Sequence, residues 1–220
     1  YSSTDKNLAA LKEYVGRMKE GQEAIYYGCG KTVEAVDALP QADQIKEAGY
    51  EMLYMVGQVD EFAVKTMRDY DGKKFLNIRT DEIDLSTEEQ KKALAEENEA
   101  AAELFAAMKE ALGDKVHAVR FTDKLKSHPV CLSTEGGLSM EMEQTLNAMP
   151  GREGRFKADV VLELNPAHPV TAKLKQYAVT DKEKLADYSK LLYAEVFLIG
   201  GVPIEEPAEL CRLITGLMEQ

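Results

Sequence analysis

Three cysteines in 220 residues, Cys29, Cys131 and Cys211, are too few, too scattered and odd in number for a secreted disulfide framework. Their scarcity predicts a reducing compartment. Basic charge is also short: 27 Lys and Arg stand against 39 Asp and Glu, a formal net charge of -12 at pH 7. A chain of that sign repels nucleic acid and anionic membrane at long range, so neither is an expected partner. The small basic patch of Arg152, Arg155 and Lys157 reads as a solvated loop. No apolar run approaches the ~18 residues that span a bilayer. The longest, residues 191–199, is interrupted by Glu195. A leading Met and signal peptide are missing too: the chain opens with Tyr1 and a polar stretch, as expected of a piece of a longer protein. Internal repeats are absent.

What is present is enough apolar residue, 45%, for a real core. Leu8, Leu11, Val15 and Met18 recur at helical spacing, with Thr4 or Asp5 as cap and Gly21 closing the helix. Three short apolar runs follow, at 25–27, 52–56 and 75–78, separated by helical patterns. The clearest of these patterns, Val59, Phe62, Ala63, Met67 and Tyr70, is ended by Asp71-Gly72. Strands alternating with helices imply crossovers, so residues 1–85 are expected to form a small αβα unit around a mostly parallel three-stranded sheet. Residues 81–100 are dominated by Asp and Glu. Ser86 with Glu89 predicts a capping box there, and Leu104, Phe105, Met108 and Leu112 make an apolar stripe before Gly113. One linking helix over 86–112 is expected. Residues 113–220 read as α+β, with strands at 116–121, 130–133 and 160–164. In the last, Val160, Leu162 and Leu164 alternate with Val161, Glu163 and Asn165, which predicts a one-sided sheet with antiparallel pairing. Three helices follow, broken at Thr180-Asp181 and around Gly200-Gly201-Val202-Pro203. The expected class is thus α/β plus α+β, ending in a helix pair.

Among motifs that carry chemistry, Gly28-Cys29-Gly30-Lys31-Thr32 follows a strand and precedes a helix, like the end of a phosphate-binding loop. The full pattern needs a glycine five residues before Gly30, where Ile25 stands. A glycine-rich turn capped by Thr32 is therefore the first reading, and a nucleotide-binding enzyme domain using Lys31 and Thr32 is the alternative. His128 and Cys131 offer a metal two ligands, short of a closed zinc site, and His117 and His168 read as structural, so no metal site is expected. No Ser, Cys or Lys has a base at nucleophile spacing, and no catalytic residue is expected.

Two apolar helical segments are more informative. The last helix places Leu210, Leu213, Ile214, Leu217 and Met218 on one stripe. The segment before it, with Leu191, Leu192, Val196, Phe197 and Ile199, is apolar nearly all round and needs cover on more than one side. Both helices either complete the core or meet a second copy in a four-helix bundle across a two-fold axis. In 138–149, Leu138, Met142, Leu146 and Met149 share one face while Met140 projects elsewhere, and Pro150-Gly151 ends the helix. Methionine-rich faces adapt to varied partners, although a Met stripe at this spacing also suits a core.

Four segments, in order along the chain, resemble the Hsp90 chaperone family in its bacterial HtpG type. They are Arg17-Met-Lys-Glu-Gly-Gln-Glu-Ala-Ile-Tyr-Tyr27, Tyr70-Asp-Gly-Lys-Lys-Phe75, residues 127–134 with 137–143, and Glu163-Leu-Asn-Pro-Ala-His-Pro169. The resemblance implies the end of that family's middle domain in 1–85, a linking helix in 86–112, and its C-terminal dimerisation and client-contact domain in 113–220. It implies a homodimer through Leu191, Leu192, Val196, Phe197, Ile199, Leu210, Leu213, Ile214, Leu217 and Met218. It further implies that Leu138, Met142 and Leu146, flanked by Met140 and Met149, meet unfolded or partly folded client proteins, with co-chaperones as further partners. Leu138 stands where many relatives carry Trp, and Gly28-Cys29-Gly30 departs from the family's usual "ITG". The family's ATP site and catalytic Arg belong to earlier segments. The chain is therefore expected not to be an enzyme and to hold no cofactor, with ATP and Mg in the intact family member. The ending Leu217-Met-Glu-Gln220 lacks an "MEEVD" or KDEL tail, which predicts a bacterial cytoplasmic protein.

Overall fold

The structure is a computed structural model describing residues 2, 4, 6–200, 203, 204 and 206–219. The suggested cap Asp5 and the Gly201-Val202 part of the last break lie outside the described residues. In chain order the elements are α1 (Leu11–Arg17), β1 (Ala24–Cys29), α2 (Val33–Asp37), α3 (Ala42–Glu47), β2 (Met52–Met55), α4 (Asp60–Met67), β3 (Asp69–Tyr70) and β4 (Lys73–Asn77). Then come α5 (Glu88–Ala100), α6 (Ala102–Leu112), β5 (Ala118–Phe121), β6 (Val130–Glu135), α7 (Met140–Asn147), β7 (Asp159–Leu164), α8 (Pro169–Thr180), α9 (Lys182–Ile199) and α10 (Pro207–Met218). Packing groups them into two units: Tyr1–Leu85 with Ser133–Asp159, and Ser86–Leu132 with Val160–Gln220. The stretch Ser133–Asp159, expected within 113–220, thus packs with the first unit.

In the first unit β1 is the central strand, parallel to β2 on one side and to β4 on the other. Its alternation assigns two cores. Ala24 and Tyr26 join Val36, Ile45, Met52, Tyr54 and Ile78 on the face covered by α2 and α3. Ile25, Tyr27 and Cys29 join Tyr14, Val64 and Phe75 on the face covered by α1 and α4. Every residue of β1 is therefore buried, as a central parallel strand requires. Tyr14 locks α1 to the sheet: its hydroxyl donates to the Glu51 carbonyl at 2.6 Å and accepts from Gln22 Nε2 at 2.8 Å. Leu8 precedes α1 and stays exposed, so the first helix starts later than its apolar spacing predicts.

The sheet has four strands rather than three, in the order β2-β1-β4-β3. Helical periodicity in 59–70 hides the fourth. α4 stops at Met67, Arg68 takes φ 68°, and Asp69–Tyr70 pairs antiparallel with β4. Asp71 and Gly72 carry φ of 52° and 74°, the two positive values of a mirror-image hairpin turn. They connect strands instead of closing a helix.

In the second unit the linking segment is two helices, not one. Ala101, at φ -98° and ψ 11°, separates α5 from α6. Just before it, Asn98 fixes the chain to β5, accepting from the Phe121 N–H at 2.8 Å. The capping box is Thr87 with Gln90, one residue beyond the expected Ser86 and Glu89, because the Ser86 hydroxyl is taken by Asp123. α6 buries Leu104, Met108 and Leu112 and packs on α9 and β5, with Phe105 edge-on to Phe121 at 4.9 Å.

The second sheet runs β5-β7-β6, and β5 pairs with β7 in parallel, contrary to the expected antiparallel pairing. The expectation of a one-sided sheet fails with it. As the central strand, β7 buries Val161, Leu162, Glu163 and Leu164 on both faces. Glu163 tolerates this because Arg120 Nη2 lies at 2.7 Å and Lys124 Nζ at 3.5 Å. The whole is a mixed α/β chain with two small sheets and several helices.

Candidate functional site

The face expected to meet clients lies on α7 and its flanks. Ser139 caps the helix, accepting from the Met142 N–H at 3.0 Å. Its hydroxyl also donates to the buried Glu61 carboxylate of α4. Arg79 Nη1 reaches Glu141 at 2.5 Å and Arg79 Nη2 lies 3.7 Å from Met140 Sδ. Lys65 Nζ donates to the Gly137 carbonyl at 2.5 Å. Leu138, Met140, Met142 and Leu146 are half-buried and Met149 is exposed. Met142, with Thr145 and Ala148, faces a groove of about 230 Å³ whose other wall is Met55 and Val56 at the carboxyl end of β2 and Phe62 of α4. Sequence reasoning identified the stripe but missed Glu61, Arg79 and Ser139, its anchors. The cap at Ser139 was readable; Glu61, 78 positions away, was not.

The Gly28–Thr32 loop borders the same groove through Gly30 and Lys31. Its glycines have a packing reason. A Cβ on Gly28 would stand 2.8 Å from Val36 Cγ1, and one on Gly30 would stand 2.8 Å from Val36 Cγ2. Thr32 caps α2, accepting from the Ala35 N–H at 3.1 Å. Burial pushes the Cys29 thiol far up, with the Glu61 carboxylate adding to it.

The Glu163–Pro169 turn is also architectural. Asn165 Nδ2 donates to the Lys126 and His128 carbonyls at 3.1 and 3.2 Å, and its Oδ1 accepts from the Ala167 N–H. His168 caps α8 through Nδ1.

The residues expected at a dimer interface divide into three sets by burial. Leu192, Val196, Leu210 and Leu213 are buried within one chain, where α9 packs on α6 and α10. Leu191, Phe197, Ile199 and Leu217 are half-buried. Ile214 and Met218 remain 43% and 81% exposed, and so does Leu198 at 57%, a residue that sequence reasoning passed over. Between α9 and α10 an open cavity of about 290 Å³ is lined by Tyr193, Phe197, Ile204, Leu210 and Leu213. Glu195, on the same helix, is half-buried. Burial raises its carboxyl pKa against the opposing pull of His128 and His168. No described helix is long and apolar enough to cross a membrane.

Comparison with known proteins places these features in a family. The sequence profile of the Hsp90 protein family matches residues 1–220. "Chaperone protein HtpG" of Bacillus velezensis is 45% identical over 219 residues, covering 99% of this chain and 35% of that protein. The protein of the same name from Bacillus subtilis is 43% identical over 218 residues, covering 99% and 35%. That from Clostridium perfringens is 43% identical over 219 residues, covering 100% and 34%. The chain thus spans about a third of the length of these relatives. The Hsp90 family is an ATPase family, and a match along the whole chain overturns the expectation that the chain is not an enzyme. With a profile match from end to end and more than two-fifths of its residues shared with HtpG chaperones, the chain belongs to the Hsp90 protein family.

Proposed function

We propose that this chain is the part of an ATP-driven molecular chaperone that joins two copies and holds partly folded clients. Residues 1–85 correspond in this reading to the end of the middle domain, 86–112 to the linking segment and 113–220 to the C-terminal domain. In the whole protein ATP with Mg drives opening and closing, and the paired chains keep two such arms together. The protein works in the bacterial cytoplasm, with co-chaperones as further partners.

The observation that carries the pairing is the apolar surface left over on the last two helices. After Leu192, Val196, Leu210 and Leu213 enter the core, Leu198, Ile214 and Met218 still face solvent. Such surface is stabilised by burial against a partner, and a symmetric copy presents the same residues in return. Client contact is carried by α7, whose flexible Met142 and Leu146 accept varied apolar surfaces. Light scattering after size exclusion across a dilution series tests the pairing. A mass near twice 24.5 kDa that persists on dilution is expected, and a monomer at every concentration would remove the reading.

A further inference from the structure

The loop between α7 and β7 gathers three cations in six residues, Arg152, Arg155 and Lys157, with Glu153 the one acid among them. All three are exposed, and none forms an ion pair among the described residues. Other cations of the chain find carboxylates: Lys6 and Lys46 share Asp37, and Arg120 and Lys124 share Glu163. The acids nearest the loop are engaged elsewhere. Glu141 takes Arg79, and Glu143 accepts from the Ala158 N–H at 2.9 Å. Glu153 turns back on its own backbone: hydrogen bonds from its own N–H and from the Gly151 N–H, the latter at 3.1 Å, hold its carboxyl below the usual range. The loop therefore keeps an uncompensated positive charge in a chain of formal net charge -12.

The backbone also holds these side chains in place. The Arg155 N–H donates to the Arg152 carbonyl at 3.2 Å, closing a turn that brings the two arginines together. Gly151 and Gly154, with φ of 76° and 68°, let the chain make it. Asn147 then clamps the Phe156 backbone through both its N–H and its carbonyl, at 3.1 and 2.8 Å. Past that clamp, Phe156 is half-buried and Ala158 buried, while Arg155 and Lys157 are exposed, so these two cations share the outer side. Solubility alone asks for no such bracing. A binding surface gains from it, because side chains already in place lose less freedom when a partner arrives.

We infer that Arg152, Arg155 and Lys157 form a docking site for an acidic peptide segment of another protein. Two guanidinium forks and one ammonium match a short row of carboxylates, which arginine takes two oxygens at a time. Nucleic acid fits the site less well. The one aromatic ring in the loop, Phe156, is half-buried and its backbone clamped, so it offers bases no open stacking platform. A long polyanion would also meet the negative field of the whole chain, whereas a short acidic segment stays within one screening length of the cations. The site needs neither a paired chain nor the apolar stripe of α7.

Fluorescence anisotropy of a fluorescein-labelled oligoglutamate peptide, titrated with the whole chain, tests the site. Saturable binding is expected at about 0.15 M salt, where distant carboxylates are screened beyond ~8 Å, and its loss at about 1 M. Arg152→Gln, Arg155→Gln and Lys157→Gln together should weaken it about tenfold or more, each exposed pair being worth roughly threefold. Circular dichroism should not change, since only exposed side chains are altered. Lys92→Gln, Lys109→Gln and Lys182→Gln remove the same charge from exposed positions elsewhere and should weaken binding by less than about twofold. No saturable binding, or equal weakening in the two triple variants, would overturn the site. So would an oligothymidylate of matched charge that binds as tightly and is lost in the same variant, since the loop would then be a nucleic-acid surface. A chain found to be monomeric, or unable to retain an unfolded protein, is still expected to bind the peptide, so this inference and the proposed function fail separately.

Discussion

The Arg79 guanidinium sits 2.5 Å from the Glu141 carboxylate, joining the end of β4 to α7 across 62 positions of sequence. Its side chain is only 10% exposed, against 28% for Glu141. Removal of either partner leaves the other desolvated without compensation, so each single change costs more than the pair is worth. Arg79→Met and Glu141→Gln should each lose about 1–2 kcal/mol in urea unfolding, and the double variant should fall short of their sum by about 1 kcal/mol or more. Strict additivity would mean that the pair contributes nothing to seating α7.

Val36 fills the space that a side chain at position 28 or 30 would need. Gly28→Ala should therefore destabilise by about 1–3 kcal/mol through overpacking, since Ile78 also stands 3.2 Å from the added Cβ. Val36→Ala should recover much of that loss in the double variant. A Gly28→Ala protein of unchanged stability would remove the packing account of these glycines and return the loop to consideration as a ligand cradle.

Asp37 gathers Lys46, Lys6 and Tyr54. Burial opposes its ionisation, but hydrogen bonds from Lys46, Lys6 and Tyr54 outweigh it and hold the carboxyl well below the usual range. A carboxyl depressed in the folded state adds stability above its unfolded pKa and loses it as pH falls toward the folded value. Asp37→Asn should thus cost about 1 kcal/mol at pH 7, the groups being partly exposed, and the gap should close as pH drops below 4. Paired denaturant curves at pH 7 and pH 3 check this. An equal gap at both would show that the carboxylate charge is not what the site uses.

Arg68 occupies φ 68° and ψ -48°, a conformation costly for a residue with a Cβ. Arg68→Gly should stabilise the first unit by about 0.5–1 kcal/mol, because relief of strain outweighs the added freedom of the unfolded chain. A loss of stability would show that the Arg68 side chain contributes more than its backbone costs.

What the sequence revealed and what it concealed follow from the range of the interactions. β1 was readable because an apolar run after Gly21 and before a glycine-rich turn fits a buried strand, and Thr32 as a cap needed only its neighbours. The α10 stripe was readable from a period of 3.6. β3 was not: Met67 and Tyr70 continue a helical period, and only the paired positive φ of Asp71 and Gly72 converts it to a hairpin. The parallel pairing of β5 with β7 escaped because alternation reports which faces are apolar and says nothing of strand direction. Glu61 read as one acid among many, since the Ser139 that needs it lies 78 positions away. Leu213 and Ile214 share one stripe, and which of them meets the core depends on where α9 lies.

That last distinction sharpens the test of pairing. Leu213 is 4% exposed inside a single chain, so Leu213→Glu buries an unpaired charge and should cost about 3 kcal/mol or more, unfolding the C-terminal helices whether or not a partner exists. Ile214 and Met218 face solvent, so Ile214→Glu with Met218→Glu should leave one chain folded, with unchanged circular dichroism. In a pair related by a two-fold axis, each acid would lie across from its own copy or its neighbour's, and repulsion would add to lost apolar burial. The mass from light scattering should therefore fall from near twice 24.5 kDa toward 24.5 kDa, with the helix content intact. A dimer that survives both acids would place the interface elsewhere on α9, with Leu191, Phe197 and Leu198 the next residues to change.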